Sequence, residues 1–279
     1  MFLHGFFINQ LSVLIESESS FYNVYNPNKL YIHEHNGGNC LNILTDSYCI
    51  RSFCPLDRVL CLIFAAENCL RLAYKIKEIY YTLQGEGFHT GHAAVFCRFT
   101  GCNLWSGREE DRHKAICQFC DTDFVGTDGE LGGKYSGEEL VKQIRSLWPD
   151  DSTCFVVFTG GEPALQLDKE LVDILHKENC YIAIETNGTI ELPEGIDWVC
   201  MSPKTGTNLI VQSGNELKLV YPQVGMEPER FADWAFDYHF LQPMDCEEVE
   251  DYTSSAIRYI RANPKWKLSV QTHKVLGIQ

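Results

Sequence analysis

The stretch from residue 73 to residue 279 predicts an α/β fold built around a mainly parallel sheet. Three observations carry that prediction. Apolar strand-like runs alternate with helical patterns, as βα units do. Polar signatures follow four of those runs, the position where such folds bind their ligands. The 279 residues, 45% of them hydrophobic, suffice to bury one large core or two small ones.

Before the regular pattern begins, residues 1 to 72 mix Phe, Asn, Ser and five cysteines with no sustained helical or strand period. This part is expected to be a poorly ordered appendage or translated upstream sequence from a wrongly chosen start codon, with a small cysteine-bearing module as the alternative. The regular part then supplies eight strand-like runs: KIKEIYYT, AAVFCRF, CFVVF, YIAIET, DWVCMS, ELKLVY, FDYHFLQP and WKLSVQT. Helices fit between several of them. SGEELVKQIRSLW opens with a capping-box pattern, Ser136 with Glu139, and puts Leu140, Val141, Ile144 and Leu147 on one face. LQLDKELVDILHKE does the same with Leu167, Leu171, Ile174 and Leu175. CEEVEDYTSSAIRYIRANP carries acids in its first turn and Arg258 and Arg261 near its close, which suits the helix dipole. No internal repeat or low-complexity tract interrupts the pattern.

A formal net charge of -15 argues against nucleic acid or an anionic membrane surface as partner, since both need clustered Lys and Arg. A small-molecule substrate is expected instead. The chain shows neither a signal-like leader nor an apolar run of membrane-spanning length. Thirteen cysteines in such a chain point to the cytoplasm, where thiols stay reduced and clusters hold metal more often than they form disulfides. Cys97, Cys154, Cys180 and Cys200 fall in strand-like runs and are expected to be small core residues.

The polar signatures are FTGGEP after CFVV, ETNGT after YIAI, SPK after DWVCM and QPMD after FDYHFL. Any one of them makes an ordinary turn. Their recurrence at successive strand ends points to one continuous site. Beside them stands a polar loop with three cysteines, in which fourteen residues separate Cys102 from Cys117 and two separate Cys117 from Cys120. The close pair can chelate one centre while Cys102 closes from across the loop. A structural zinc site would need a fourth ligand, for which His113 and Cys97 are the nearby candidates. Three thiolates without a fourth suit an iron–sulfur cluster with one open iron. Spacing alone leaves both open.

Taken together, YTLQGEGFHTGHAAVFCRFTGCNLW, the three cysteines followed by DTDF, and FTGGEP resemble the radical S-adenosylmethionine superfamily, and within it the 7-carboxy-7-deazaguanine synthases. The resemblance runs from about residue 74 to the end. Most superfamily members space their first two cysteines by three residues; the fourteen here match a long-spacing subgroup of these synthases. The resemblance implies a partial (β/α)6-type barrel over residues 73–279, with residues 1–72 an extension that has no counterpart in the family. It also implies a [4Fe-4S] cluster on Cys102, Cys117 and Cys120, with the fourth iron left to S-adenosylmethionine. The expected reaction converts 6-carboxy-5,6,7,8-tetrahydropterin to 7-carboxy-7-deazaguanine with loss of ammonia, for queuosine or another deazapurine. It begins with hydrogen abstraction by a 5'-deoxyadenosyl radical, and the adenosyl group later takes the hydrogen back.

By family position, S-adenosylmethionine would meet Phe119, Cys120, Asp121 and Gly161, then Ser202, Pro203 and Lys204, then Gln242, Pro243, Met244 and Asp245. Glu185, Thr186 and Asn187 are further neighbours. Gly160 and Gly161 are expected to let a ligand approach the backbone closely. The substrate would meet Leu83, Gln84, Gly85 and Glu86 at its guanidine-like pterin edge, Arg98 at its carboxylate through a planar fork, and Thr159, His273 and the terminal carboxylate of Gln279. Thr122 matches a Mg²⁺ ligand, with Asp121 and Asp123 as partners around it or as solvated loop acids. A homodimer and a flavodoxin-like reductase as electron donor complete the implied picture.

Overall fold

The computed structural model describes residues 73–278 and, before them, the backbone of five short strands. The chain divides into two compact units, Met1–Arg71 and Leu72–Gln279. In the first unit β1 (Phe6–Ile8), β2 (Leu11–Glu16), β3 (Tyr31–Glu34), β4 (Cys40–Leu44) and β5 (Cys49–Phe53) form one sheet in chain order. Strands of three to six residues give too few alternations for a period to show in the sequence. The remainder of 1–72, and with it the expectation of a poorly ordered or mistranslated segment, lies outside the described residues.

The second unit is built on a nine-stranded sheet. Its strands are β6 (Tyr74–Leu83), β7 (Ala93–Phe99), β8 (Gly133–Tyr135), β9 (Cys154–Gly160), β10 (Cys180–Thr186), β11 (Trp198–Met201), β12 (Ser213–Tyr221), β13 (Ala235–Pro243) and β14 (Trp266–Leu268). They lie in the order β14-β13-β12-β11-β10-β9-β7-β6-β8. All pairs from β7 through to β14 are parallel, while β6 runs antiparallel to β7 and β8 antiparallel to β6. The eight strand-like runs of the sequence thus become eight of the nine strands. The ninth, β8, is a three-residue edge strand with no fully buried residue, too short for periodicity to mark.

Three helices stand where the sequence placed them. Helix α1 (Gly137–Leu147) has Ser136 as N-cap, and Ser136 and Glu139 satisfy each other's backbone amides in a complete capping box. Helix α2 (Lys169–Lys177) begins two residues later than its apolar pattern, because the Asp168 side chain accepts the Leu171 amide and fixes the start there. Helix α3 (Val249–Ala262) precedes β14. A short α4 (Thr272–Leu276) ends the described chain. Helices α1 and α2 bury Leu140, Val141, Ile144, Leu171, Val172 and Leu175 against Ile76, Val95, Phe99, Val156, Phe158 and Ile182 on the outer face of the sheet. Cys97, Cys154, Cys180 and Cys200 are buried strand residues, as expected of small core side chains.

The parallel strands with helices on their outer face form a partial α/β barrel. No helix occupies the β10–β11 or β11–β12 crossover, and a single 3-10 turn, Pro228–Phe231, lies between β12 and β13. The inner face therefore carries what the outer face cannot. Ala94, Val157, Ala183, Trp198 and Cys200 pack inward with Phe96, Phe155, Tyr181 and Tyr238, and above them, toward the carboxyl ends of the strands, the lining turns polar. Among the described residues, no helix is long and apolar enough to cross a membrane.

Candidate active site

The loop after β7 answers how a polar segment holds three thiols. Its 3-10 turn, Glu109–Lys114, presents Arg112, whose guanidinium lies 4.1 Å from the centre of the Trp105 ring and donates to the carbonyls of Gln118 (2.9 Å) and Cys120 (3.0 Å). The amides of Ile116 and Cys117 both donate to the Leu104 carbonyl. Polar side chains are thus spent on folding the loop back on itself, which carries Cys117 and Cys120 toward Cys102. Buried Trp105 and Phe124 pack edge to face beneath it, 5.6 Å apart.

Cys117 and Cys120 line a cavity of about 200 Å³ at the carboxyl ends of the parallel strands. Cys102 stands at its edge, its Cβ against Gly161 and its Sγ accepting the Leu104 amide at 3.4 Å. Burial pushes the thiols of Cys102 and Cys117 up, while the Leu104 and Trp105 amides at Cys102, and the Lys204 ammonium at Cys117, act the other way. His113 is exposed on the 3-10 turn and Cys97 is fully buried in β7, so neither completes a zinc site. Among the described residues, no three His, Cys, Asp or Glu side chains converge as ligands of one ion. Two thiols in the pocket wall and a third beside Gly161, with amide donors at Cys102 and Cys117, suit the corners of a larger iron–sulfur cluster.

The strand ends place the other expected neighbours of the cofactor. Phe119, Asp121 and Gly161 line this cavity, as do Ser202 and Lys204 after β11 and Gln242, Pro243, Met244 and Asp245 at the end of β13. Pro203 is buried below them, with its carbonyl accepting from Gln223 Nε2 at 3.2 Å, and does not line the cavity. Gly160 and Gly161 answer to the chain itself as much as to any ligand. Gly160 adopts φ +142°, and a Cβ there would sit 2.3 Å from the Phe99 carbonyl, while one on Gly161 would sit 2.1 Å from the Gly101 carbonyl. Glu162 is fully buried and ties two strand ends together, accepting from the Ala164 amide (3.0 Å), the Thr186 hydroxyl (2.8 Å) and the Asn187 amide (2.7 Å). Asn187 in turn donates to Asn103 Oδ1 at 3.0 Å, joining β10 to the cysteine loop.

A second cavity, of about 400 Å³, adjoins the first; Glu86, Asp121, Thr122, Thr159, Glu185 and Gln271 line both. It is also lined by Leu83, Gln84, Gly85, Arg98 and His273, so seven of the eight expected substrate residues meet here. The eighth, Gln279, lies outside the described residues. The LQGEG segment and the chain's last turn are tied across the two edges of the sheet: the Thr272 amide donates to Gly85 O at 2.9 Å and the Gly87 amide to Ser269 Oγ at 3.0 Å. Gly85 is required because a Cβ would lie 2.4 Å from His273 Nδ1.

Arg98 does not present a free fork. Its Nε donates to Glu78 Oε1 at 2.8 Å and its Nη2 to the Tyr80 hydroxyl at 3.1 Å, leaving its other donors for the cavity. Asp123 and Asp121 are exposed loop acids, as one of the two expectations had it, yet each is paired: Lys77 with Asp123 at 2.8 Å, and Lys274 with Asp121 (2.6 Å) and Asp245 (2.5 Å). Thr122 between them faces both cavities.

Sequence reasoning missed the charge at the centre. Lys218 on β12 is buried and donates to Glu86 Oε2 at 2.7 Å and Glu185 Oε2 at 2.9 Å. Burial alone would raise Glu86, but the Lys218 charge and hydrogen bond, helped by Gln242, hold its carboxyl down at about 2. One signal was present: in ELKLVY the charged residues alternate with leucines. That pattern normally marks a solvated face, and only closure of the sheet turns it inward.

The Radical SAM superfamily pattern matches residues 112–232, a span that includes Cys117 and Cys120. A 7-carboxy-7-deazaguanine synthase from Bradyrhizobium diazoefficiens is 57% identical over 210 residues, covering 75% of this chain and 100% of the relative. One from Bacteroides thetaiotaomicron is 41% identical over 205 residues, covering 74% of this chain and 98% of the relative. Among solved structures, the crystal structure of QueE from Escherichia coli aligns with a TM-score of 0.54 at 30% identity, covering 72% of this chain and 95% of that one. With relatives this similar matched over almost their whole length, and with three thiols set at the strand ends of a partial barrel, this chain belongs to the 7-carboxy-7-deazaguanine synthase family of radical S-adenosylmethionine enzymes.

Proposed function

We propose that the chain converts 6-carboxy-5,6,7,8-tetrahydropterin to 7-carboxy-7-deazaguanine and ammonia, the deazaguanine being the product that the name of its relatives states. The observation that carries this reading is the pair of adjoining cavities, one beside the thiols and one rich in hydrogen-bonding groups, with Thr159 and Glu185 in the wall they share. Cys102, Cys117 and Cys120 would hold the cluster, and Gly161 with the ends of β11 and β13 would hold S-adenosylmethionine. Together, when bound, they supply reversible hydrogen-atom abstraction.

The chain's own residues do the rest. Gln84, Glu86 and Glu185 offer acceptors and a donor to the pterin edge, and Arg98, steadied by Glu78 and Tyr80, offers its remaining donors to the substrate carboxylate. Thr122 offers a hydroxyl to Mg²⁺, an ion satisfied by few protein oxygens. Replacing Thr122 with Ala should abolish stimulation by magnesium; an unchanged metal dependence would reject that role. We also assign the activity to residues 73–279, because about three quarters of this chain matches the whole of its relatives. A chain begun at residue 73 should therefore turn over like the full one. A homodimer, a flavodoxin-like electron donor and a cytoplasmic setting complete the proposal; sedimentation of the purified protein tests the first.

The decisive assay incubates the anaerobically reconstituted protein with S-adenosylmethionine, dithionite and the tetrahydropterin, and follows the deazaguanine by mass spectrometry. Product that disappears in Cys117→Ala is expected. Cofactor cleavage without deazaguanine would overturn the substrate.

A further inference from the structure

We propose that Lys218 is a positioning residue that fixes Glu86 and Glu185 as paired hydrogen-bond acceptors, so that the site selects a substrate edge bearing donors, the 2-amino-4-oxo edge of a pterin, over a dioxo edge. The inference rests on the pterin reading and deepens it. Lys218 approaches one oxygen of each carboxylate, Oε2 in both cases, at 2.7 Å and 2.9 Å. The two glutamates come from different parts of the fold, Glu86 from the segment after β6 and Glu185 from the end of β10, and both line the two cavities. One ammonium therefore sets the spacing of two carboxylates that no shared element holds together. The other oxygen of Glu185 accepts from Gln84 Nε2 in a long bond of 3.4 Å, and the Cys200 thiol is a further neighbour of the carboxylate; a carboxylate with about four lone-pair sites keeps acceptor capacity for a ligand.

The surroundings make that ammonium hard to replace. Lys218 is 4% exposed, and its neighbours are Glu86, Glu185 of β10, Cys200 of β11 and Glu216 of its own strand, with the Lys204 ammonium close enough to interact. Glu216 is itself buried and accepts from the Phe88 amide at 3.1 Å, with its Oε1 unpartnered. Burial pushes Lys218 down, yet Cys200, Glu185 and Glu86 around it raise it well above the ordinary ammonium range. Removing the charge would leave buried carboxylates facing one another, and like charges at that distance are relieved by taking up a proton. A protonated carboxyl presents a donor where the 2-amino group needs an acceptor, so selectivity would fail before binding does.

The test is equilibrium dialysis of the reconstituted full chain against 6-carboxypterin and against 6-carboxylumazine, which carries oxygen in place of the 2-amino group. The wild-type protein should prefer the pterin by at least about tenfold. In Lys218→Met and Lys218→Gln that ratio should fall to within about twofold, and Lys218→Arg should restore it, which loss of packing alone would not produce. If Lys218→Met fails to fold, the comparison of Lys218→Gln with Lys218→Arg decides by the same ratio. Variants without the cation that keep the wild-type preference would overturn the role of Lys218 alone. A wild-type protein that binds neither ring would overturn the pterin reading and this inference with it.

Discussion

Arg98 illustrates how little of a residue's role its type alone defines. The guanidinium suits a carboxylate, but here Glu78 and Tyr80 take part of its donor set and aim the remainder at the cavity. Both partners of the Arg98–Glu78 pair are mostly buried, with side-chain exposures of 17% and 18%. Arg98→Ala should therefore cost about 3 kcal/mol of stability by removing one partner of a largely buried ion pair. It should also raise KM for the substrate more than tenfold, and kinetics at several substrate concentrations beside a denaturation curve would separate the two effects. Glu86 gives a pH dependence with a definite sign. Its folded value of about 2 lies below its ordinary 4.5, so the stability it contributes is present above about pH 4.5 and is lost as pH falls through about 2. Glu86→Gln should flatten the acid-side stability curve in that window; an unchanged slope would show that Glu86 is not held ionised.

Elements were legible where local rules and tertiary packing agreed. The capping box at Ser136 predicted the start of α1, and of the apolar positions that defined its face Leu140, Val141 and Ile144 are buried, with Leu147 partly buried against the same core. Ser136→Ala should cost about 1 kcal/mol, seen as a fall of about 2 to 4 °C in melting temperature; no change would mean that packing alone fixes that helix end. Other elements left no trace to read. Strand β8 has three residues and α4 has five, too few for either period to register. Lys218 and Glu216 alternate with leucines as on any half-solvated strand, and which side faces water depends on strands more than 100 residues earlier, such as β6, being tied to the far edge. The cysteine loop was legible as a candidate ligand set but not as a folded object, because Arg112 holds it through backbone carbonyls that no residue pattern reports.

At the scale of the molecule, the partial barrel brings strand ends distant in sequence to one rim and leaves an interior deep enough for two adjoining cavities. The segment after β6 and the turn before α4 meet across the sheet edges, so the first and last parts of the second unit complete the same pocket. That shared pocket is where the account is most exposed to test. If the cavities work as one site, a hydrogen atom passes directly between substrate and S-adenosylmethionine. The measurement is turnover of ring-deuterated 6-carboxy-5,6,7,8-tetrahydropterin, with mass analysis of the recovered S-adenosylmethionine. Deuterium in its adenosyl group, accumulating with the deazaguanine, is the predicted result. Deazaguanine formed while S-adenosylmethionine stays unlabelled would contradict it.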